Sequence, residues 1–169
     1  MKELATLLRE LTEAGVITGH AVFGAMAQMR YTEPVATFDV DVLVEVPEPN
    51  RLDVLSPIYE FCRSRGFTTE GECIRVGAWP VQFIPVFSPL TTEALRQARE
   101  TTFEGAPIRV VGADHLAAIA LSVGRGKDSE RVLALLKNGS ATRQAVEDLV
   151  AKHGLATAWH RFQTRFLND

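Results

Sequence analysis

Two cysteines in 169 residues, Cys62 and Cys73, are too few for a disulfide framework or a thiolate metal cage. Cys62 falls in a helical apolar pattern and reads as a core thiol. The four histidines, His20, His115, His153 and His160, are scattered, and no His/Cys spacing suits zinc. His115, in Asp114-His115-Leu116, reads as a helix-capping or packing residue. No serine stands in a nucleophile-elbow motif. Excess positive charge is missing too: 18 Lys and Arg against 21 Asp and Glu leave a formal charge of −3. That balance argues against a broad nucleic-acid-binding surface. No apolar run approaches the roughly 18 residues needed to span a bilayer. Residues 1–13 mix charges with leucines and do not read as a leader. A cytoplasmic protein without a membrane partner is the expectation. The composition, 46% hydrophobic and 23% charged, is that of a globular chain.

What the chain does have is concentrated in one run, Thr37-Phe38-Asp39-Val40-Asp41-Val42-Leu43-Val44-Glu45-Val46. Valine at 40, 42, 44 and 46 is the alternation of a half-buried strand. Side chains two apart on a strand share a face, so Asp39 and Asp41 point the same way. Two carboxylates that close repel unless a cation lies between them. A hard divalent ion, Mg²⁺ or Mn²⁺, takes such oxygen ligands together with substrate phosphates. An edge strand with a solvated acidic face fits the same residues.

Around this run the periodicities alternate. Helices are expected at 2–14, 25–30, 52–65 and 91–99, and strands at 21–23, 67–70, 73–76 and 79–85. Thr102-Phe103 and residues 108–111 suggest a hairpin around Glu104-Gly105. Helices follow at 114–123, 129–137, 141–153 and 155–166, broken at Gly124-Arg125-Gly126 and Asn138-Gly139. The order predicts an α+β fold, with a core over 1–112 and a helical region, 113–169, packed on it. Charge divides along the chain: residues 1–124 hold 10 bases and 16 acids, and residues 125–169 hold 8 bases and 5 acids. The C-terminal part can therefore face a phosphate, although a solvated helical face accounts for the excess equally well.

Strand 21–23 turns through Gly24-Ala25 into a helix, which leaves backbone N–H groups free for phosphate oxygens. About 15 residues later comes the aspartate pair. This order resembles the nucleotidyltransferase-fold superfamily. It is most similar to bacterial nucleotidyltransferase-like proteins related to the toxins of abortive-infection type IV toxin–antitoxin systems. Phe23-Gly24-Ala25-Met26-Ala27 and the segment from Arg30 to Val42 carry the likeness. Val81-Gln82-Phe83-Ile84-Pro85, Asp114-His115-Leu116 and the run from Gly124 to Arg131 extend it.

The resemblance implies a mixed sheet flanked by helices, followed by a C-terminal helical bundle. It also implies transfer of a nucleoside monophosphate from a nucleoside triphosphate to a protein or RNA hydroxyl. Asp39 and Asp41 would bind Mg²⁺ or Mn²⁺. Gly24 and Ala25 would cradle the phosphates, with Thr37 and Arg30 assisting. Lys127 would sit over the phosphates as a compact charge, and Asp128 would fix the lysine or its helix. A helix N-terminus with surface charges explains Lys127-Asp128 as well. An antitoxin partner and a homo-oligomer are further implications, the latter drawing on the apolar residues Leu149, Leu155, Trp159, Phe162 and Phe166. Two positions depart from the family pattern. Gln82 stands where a third carboxylate is usual, and Ala120 where related toxins carry a base. Gln82 cannot accept a proton near neutral pH. A degenerate nucleotide- or partner-binding domain is therefore the alternative.

Overall fold

Leu4, Leu7, Leu8 and Leu11 recur at helical spacing. In the computed structural model, which describes residues 1–50 and 52–167, they form the buried stripe of helix α1 (Lys2–Glu13). Strand β1 (Gly19–Phe23) follows and runs directly into the short helix α2 (Gly24–Gln28). Strand β2 (Val40–Glu45), helix α3 (Ser56–Ser64) and strands β3 (Thr68–Glu70), β4 (Cys73–Val76) and β5 (Trp79–Pro85) come next. Helix α4 (Pro89–Arg96) and the hairpin of β6 (Arg99–Phe103) and β7 (Ala106–Val110) complete the sheet-forming part. Helices α5 (Ala113–Val123), α6 (Gly126–Lys137), α7 (Arg143–Lys152) and α8 (Ala156–Phe166) end the chain. The architecture is α+β, with a mixed seven-stranded sheet and C-terminal helices.

The strand order is β3-β4-β5-β2-β1-β7-β6. Strand β2 is central, antiparallel to β1 and parallel to β5. Val40, Val42 and Val44 on one face and Leu43 on the other are all fully buried. The strand is thus covered on both faces, not half-buried as its alternation suggests, because helices pack across the sheet. The edge-strand explanation of the two aspartates does not hold. Helix α4 lies against β1 and β2, and α5 packs against α2, α4, α6, α7 and α8. Buried nearly all round, from Ala113 through Leu121 apart from Asp114, α5 ties the C-terminal helices to the rest of the core.

Element ends differ from expectation where local chemistry intervenes. The aspartate strand pairs only from Val40, since its partner β1 stops at Phe23, opposite Asp41, where Gly24 begins α2. Helix α3 starts at Ser56 rather than 52, because the Asp53 carboxylate accepts the Ser56 N–H at 3.0 Å and Pro57 fits the first turn. Helix α4 starts two residues early, at Pro89, behind a Ser88–Thr91 capping box. Helix α6 starts three residues early, at Gly126, because the Asp128 carboxylate accepts the Arg125 N–H at 3.1 Å. Among the described residues, no helix is long and apolar enough to cross a membrane.

Candidate functional site

The register places three side chains in a row across the sheet, Phe23 opposite Asp41 and Asp41 opposite Gln82. Asp39 stands just before β2, where the Thr37 hydroxyl donates to its carbonyl at 3.0 Å and reaches its carboxylate at 3.3 Å. Thr37 therefore orients Asp39, a task distinct from the phosphate contact expected of it. Beneath the pair runs the β1–α2 junction. Gly24 has φ +69°, and a Cβ there would lie 2.3 Å from the Asp41 Oδ2. Only glycine lets the backbone approach the carboxylate this closely. Since α2 has five residues, the junction offers a few free N–H groups rather than a strong dipole.

These residues line a cleft of ≈ 870 Å³, which the first turns of α6 also line. Gly24, Ala25, Thr37, Asp39, Asp41, Gln82, Lys127 and Asp128 all line it. The volume is ample for a nucleotide-sized ligand. Lys127 is exposed and has no hydrogen-bond or ion-pair partner among the described residues. Asp128, only 1% exposed, holds the wall together. It accepts from the Arg125 backbone and Nε (3.1 and 2.9 Å) and from Arg131 Nη1 (3.4 Å). Among the described residues no hydrogen bond or ion pair joins its side chain to Lys127.

Arg30 is not in this group. Helix α2 ends at Gln28, the following turn carries Arg30 outward, and its Nε donates to Thr101 Oγ1 on β6 at 3.2 Å.

Sequence reasoning missed Arg131 and Gln28. Arg131 Nε donates to Gln28 Oε1 at 3.0 Å, joining α6 to α2 beside the cleft. Its spacing of four from Lys127 places it on the same helix face, a signal present in the sequence. Also missed were the aromatic rims. Phe38 is 90% and Phe87 60% exposed, and both line the cleft. No periodicity marks either.

Charge polarises the cleft. Burial, and then the neighbouring Asp39, hold Asp41 above the usual carboxylate range, while Arg131, Lys127 and Arg125 pull the other way. Two mutually repelling acids thus meet three cations in the cleft, Arg125 and Arg131 already bound to Asp128 and Lys127 without such a partner among the described residues. A bound divalent ion would relieve the repulsion. The donor chemistry fits one, since two carboxylates with a close backbone are hard oxygen ligands. Among the described residues, no group of three or more His, Cys, Asp or Glu converges as a metal site. An ion here would draw its remaining ligands from substrate and water, as Mg²⁺ commonly does.

No protein-family model matches the sequence, and no curated protein matches it. Solved structures do. The antibiotic-resistance factor ANT(2'')-Ia, in its solution structure, superposes with a TM-score of 0.53 at 12% identity, over 98% of this chain and 99% of its own. An antigenic nucleotidyltransferase-like protein from Paracoccidioides brasiliensis superposes with a TM-score of 0.50 at 15% identity, over 92% and 91%. The chain has the nucleotidyltransferase fold over nearly its whole length.

Proposed function

We propose that the protein transfers a nucleoside monophosphate from a nucleoside triphosphate to a hydroxyl of a protein or RNA acceptor, with Mg²⁺ or Mn²⁺ on Asp39 and Asp41. The observation that carries this reading is the charge of the cleft, where Asp39 and Asp41 meet Arg125, Lys127 and Arg131. A triphosphate with its metal is the ligand that offers positive charge to the acids and negative charge to the bases at once. Both halves of the site are held by the fold, which suits a reaction that depends on positioning and charge stabilisation.

Each residue has a task that its surroundings support. Gly24 and Ala25 bring backbone N–H groups to the phosphates. Thr37 holds Asp39 through its hydroxyl. Lys127, without a protein partner among the described residues, neutralises charge on the leaving pyrophosphate. Asp128 and Gln28 position Arg125 and Arg131. A divalent ion, when bound, would lower the repulsion between the two acids and polarise the reacting phosphate. The resemblance to abortive-infection toxins supports a bacterial toxin role with an antitoxin partner.

Gln82 favours a second reading, in which the cleft binds a nucleotide without turning it over. One experiment separates the two. The protein is incubated with α-labelled nucleoside triphosphates and Mg²⁺ or Mn²⁺, beside Asp39→Asn, while calorimetry measures nucleotide binding. Incorporation by wild type and none by the variant supports transfer. Binding without incorporation supports the second reading, and no binding at all refutes both.

A further inference from the structure

Transfer to a hydroxyl releases a proton, and the position beside Asp41 where a carboxylate could accept it is Gln82. A neutral amide is no base near pH 7. Three glutamates flank the row, and the structure separates them. Glu45 lies at the far end of β2, bound to Arg96 at 3.1 Å. Glu70 is clasped by the Arg75 guanidinium at 2.7 and 2.8 Å. Glu72 alone reaches the row, its carboxylate accepting the Gln82 Nε2–H at 3.4 Å.

Glu72 is placed by the backbone rather than by chance. Glu70 pairs with Cys73, so Gly71 and Glu72 form the tip of a two-residue hairpin, with Gly71 at φ +60°. The Tyr59 hydroxyl donates to the Glu72 carbonyl at 2.8 Å and pins the tip to α3. Cys73 adjoins Gln82 when the β4–β5 register is carried one step past Ile74 opposite Val81. The hairpin tip therefore lies beside Gln82, midway along β5, which lines the cleft. No cation pairs with the Glu72 carboxylate among the described residues.

We propose that Glu72 is the general base of the transfer, a catalytic residue presented to the acceptor by Gln82; this rests on the function proposed above. The acceptor hydroxyl gives its proton to a Glu72 carboxylate oxygen. Its oxygen electron pair forms the new bond to the α-phosphorus. The bond from that phosphorus to the bridging oxygen breaks, and pyrophosphate leaves with the electron pair. Direction supports the choice. Displacement at phosphorus is in line, so the acceptor enters opposite the leaving group. With Arg125, Lys127 and Arg131 holding the pyrophosphate, the acceptor enters away from them. Glu72 sits at the β3–β4 tip next to Cys73, on which Asp39, Asp41, Glu72 and Glu70 act rather than those cations. Glu130 lines the cleft from α6, on the same element as Lys127 and Arg131, whereas Glu72 reaches the cleft through its bond to the lining residue Gln82.

The test measures pyrophosphate release and label transfer from the four α-labelled nucleoside triphosphates. Acceptors are an RNA oligonucleotide with a free 3′ hydroxyl and the protein's own hydroxyls. Glu72→Gln is expected to lower kcat by about 10²- to 10⁴-fold, the usual contribution of a general base, with nucleotide affinity unchanged. Glu72→Asp should retain part of the rate. In Glu72→Gln/Gln82→Glu the acid and amide change places, and at least about a tenfold recovery is expected, a small part of that contribution. An active wild type with Glu72→Gln equally active overturns the proposal and leaves the function standing. So does a loss of kcat matched by a loss of nucleotide affinity, or one that the exchanged pair fails to recover. Nucleotide binding without transfer by wild type overturns the base assignment, and absence of binding overturns the function with it.

Discussion

Gly24→Ala probes the contact on which the cleft depends. The residue is at φ +69°, where an L side chain costs about 1–2 kcal/mol. Its new Cβ would also lie 2.3 Å from Asp41 Oδ2, 3.1 Å from Cγ and 3.3 Å from Cβ. Forcing a methyl into such a space costs about 1–3 kcal/mol more. The sum, about 2–5 kcal/mol, corresponds to a fall in Tm of about 5–15 °C for a domain of this size. Gly15→Ala is the control, since φ is again +69° but nothing lies within 4 Å of the added atom. It should lose only the conformational part, about 1–2 kcal/mol. The decisive variant is Gly24→Ala/Asp41→Ala, in which the clashing carboxylate is gone. Urea unfolding of both singles and the double should give a coupling of about 1–3 kcal/mol, the double being more stable than the two losses predict. If Gly24→Ala costs no more than Gly15→Ala, or if the two substitutions simply add, the packing of glycine on carboxylate is refuted.

Lys127→Ala should leave Tm within the range of an ordinary surface change, about ±0.5 kcal/mol, yet weaken nucleoside triphosphate binding about tenfold in calorimetry; unchanged affinity counts against its assigned task. Arg131→Gln should do the opposite to stability, costing about 1–3 kcal/mol in urea, because the Gln28 oxygen loses its donor and Asp128 keeps only Arg125. Glu93 supplies the pH test. Lys152 first, then His153, hold its carboxyl down to about 2 from an ordinary 4.5, so its stabilisation is present above pH 4.5 and lost as pH falls toward about 2. The gap in urea midpoint between wild type and Glu93→Gln should accordingly close across that interval, and a gap that persists at pH 2 contradicts the assignment. Burial pushes the Cys62 thiol up to about 11, whereas Cys73 is partly exposed beside Gln82. A thiol reagent at pH 8 should consume one cysteine per native chain, at a rate that changes when Mg²⁺ and nucleotide are added; two thiols reacting equally would refute the burial argument.

Much of the fold was legible in short-range pattern. The leucine stripe of α1, the valines of β2 and the prolines bounding β5 each lie within one element, where the periods of 3.6 and 2 hold. The pairing of Asp39 with Asp41 belongs to the same class, as does the turn at Gly24. Helix starts were less legible, because side-chain bonds from Asp53, Ser88 and Asp128 to backbone N–H groups act over three residues and compete with the apolar pattern.

Chain chemistry alone thus set which elements form and which acids stand side by side, since those are matters of neighbouring residues. Whether the acids look onto an open cleft was a matter of strand order, and β2 proved central with residues of α6 lining the same cleft. Long-range packing brought Arg131 to Gln28, carried Arg30 away to Thr101, and set Glu72 rather than Glu45 or Glu70 against Gln82. Those partners are separated by 103, 71 and 10 residues, and only the folded topology brings such positions within bonding reach. A shift of one residue in register would turn each strand side chain to the other face, so no local rule specifies these contacts.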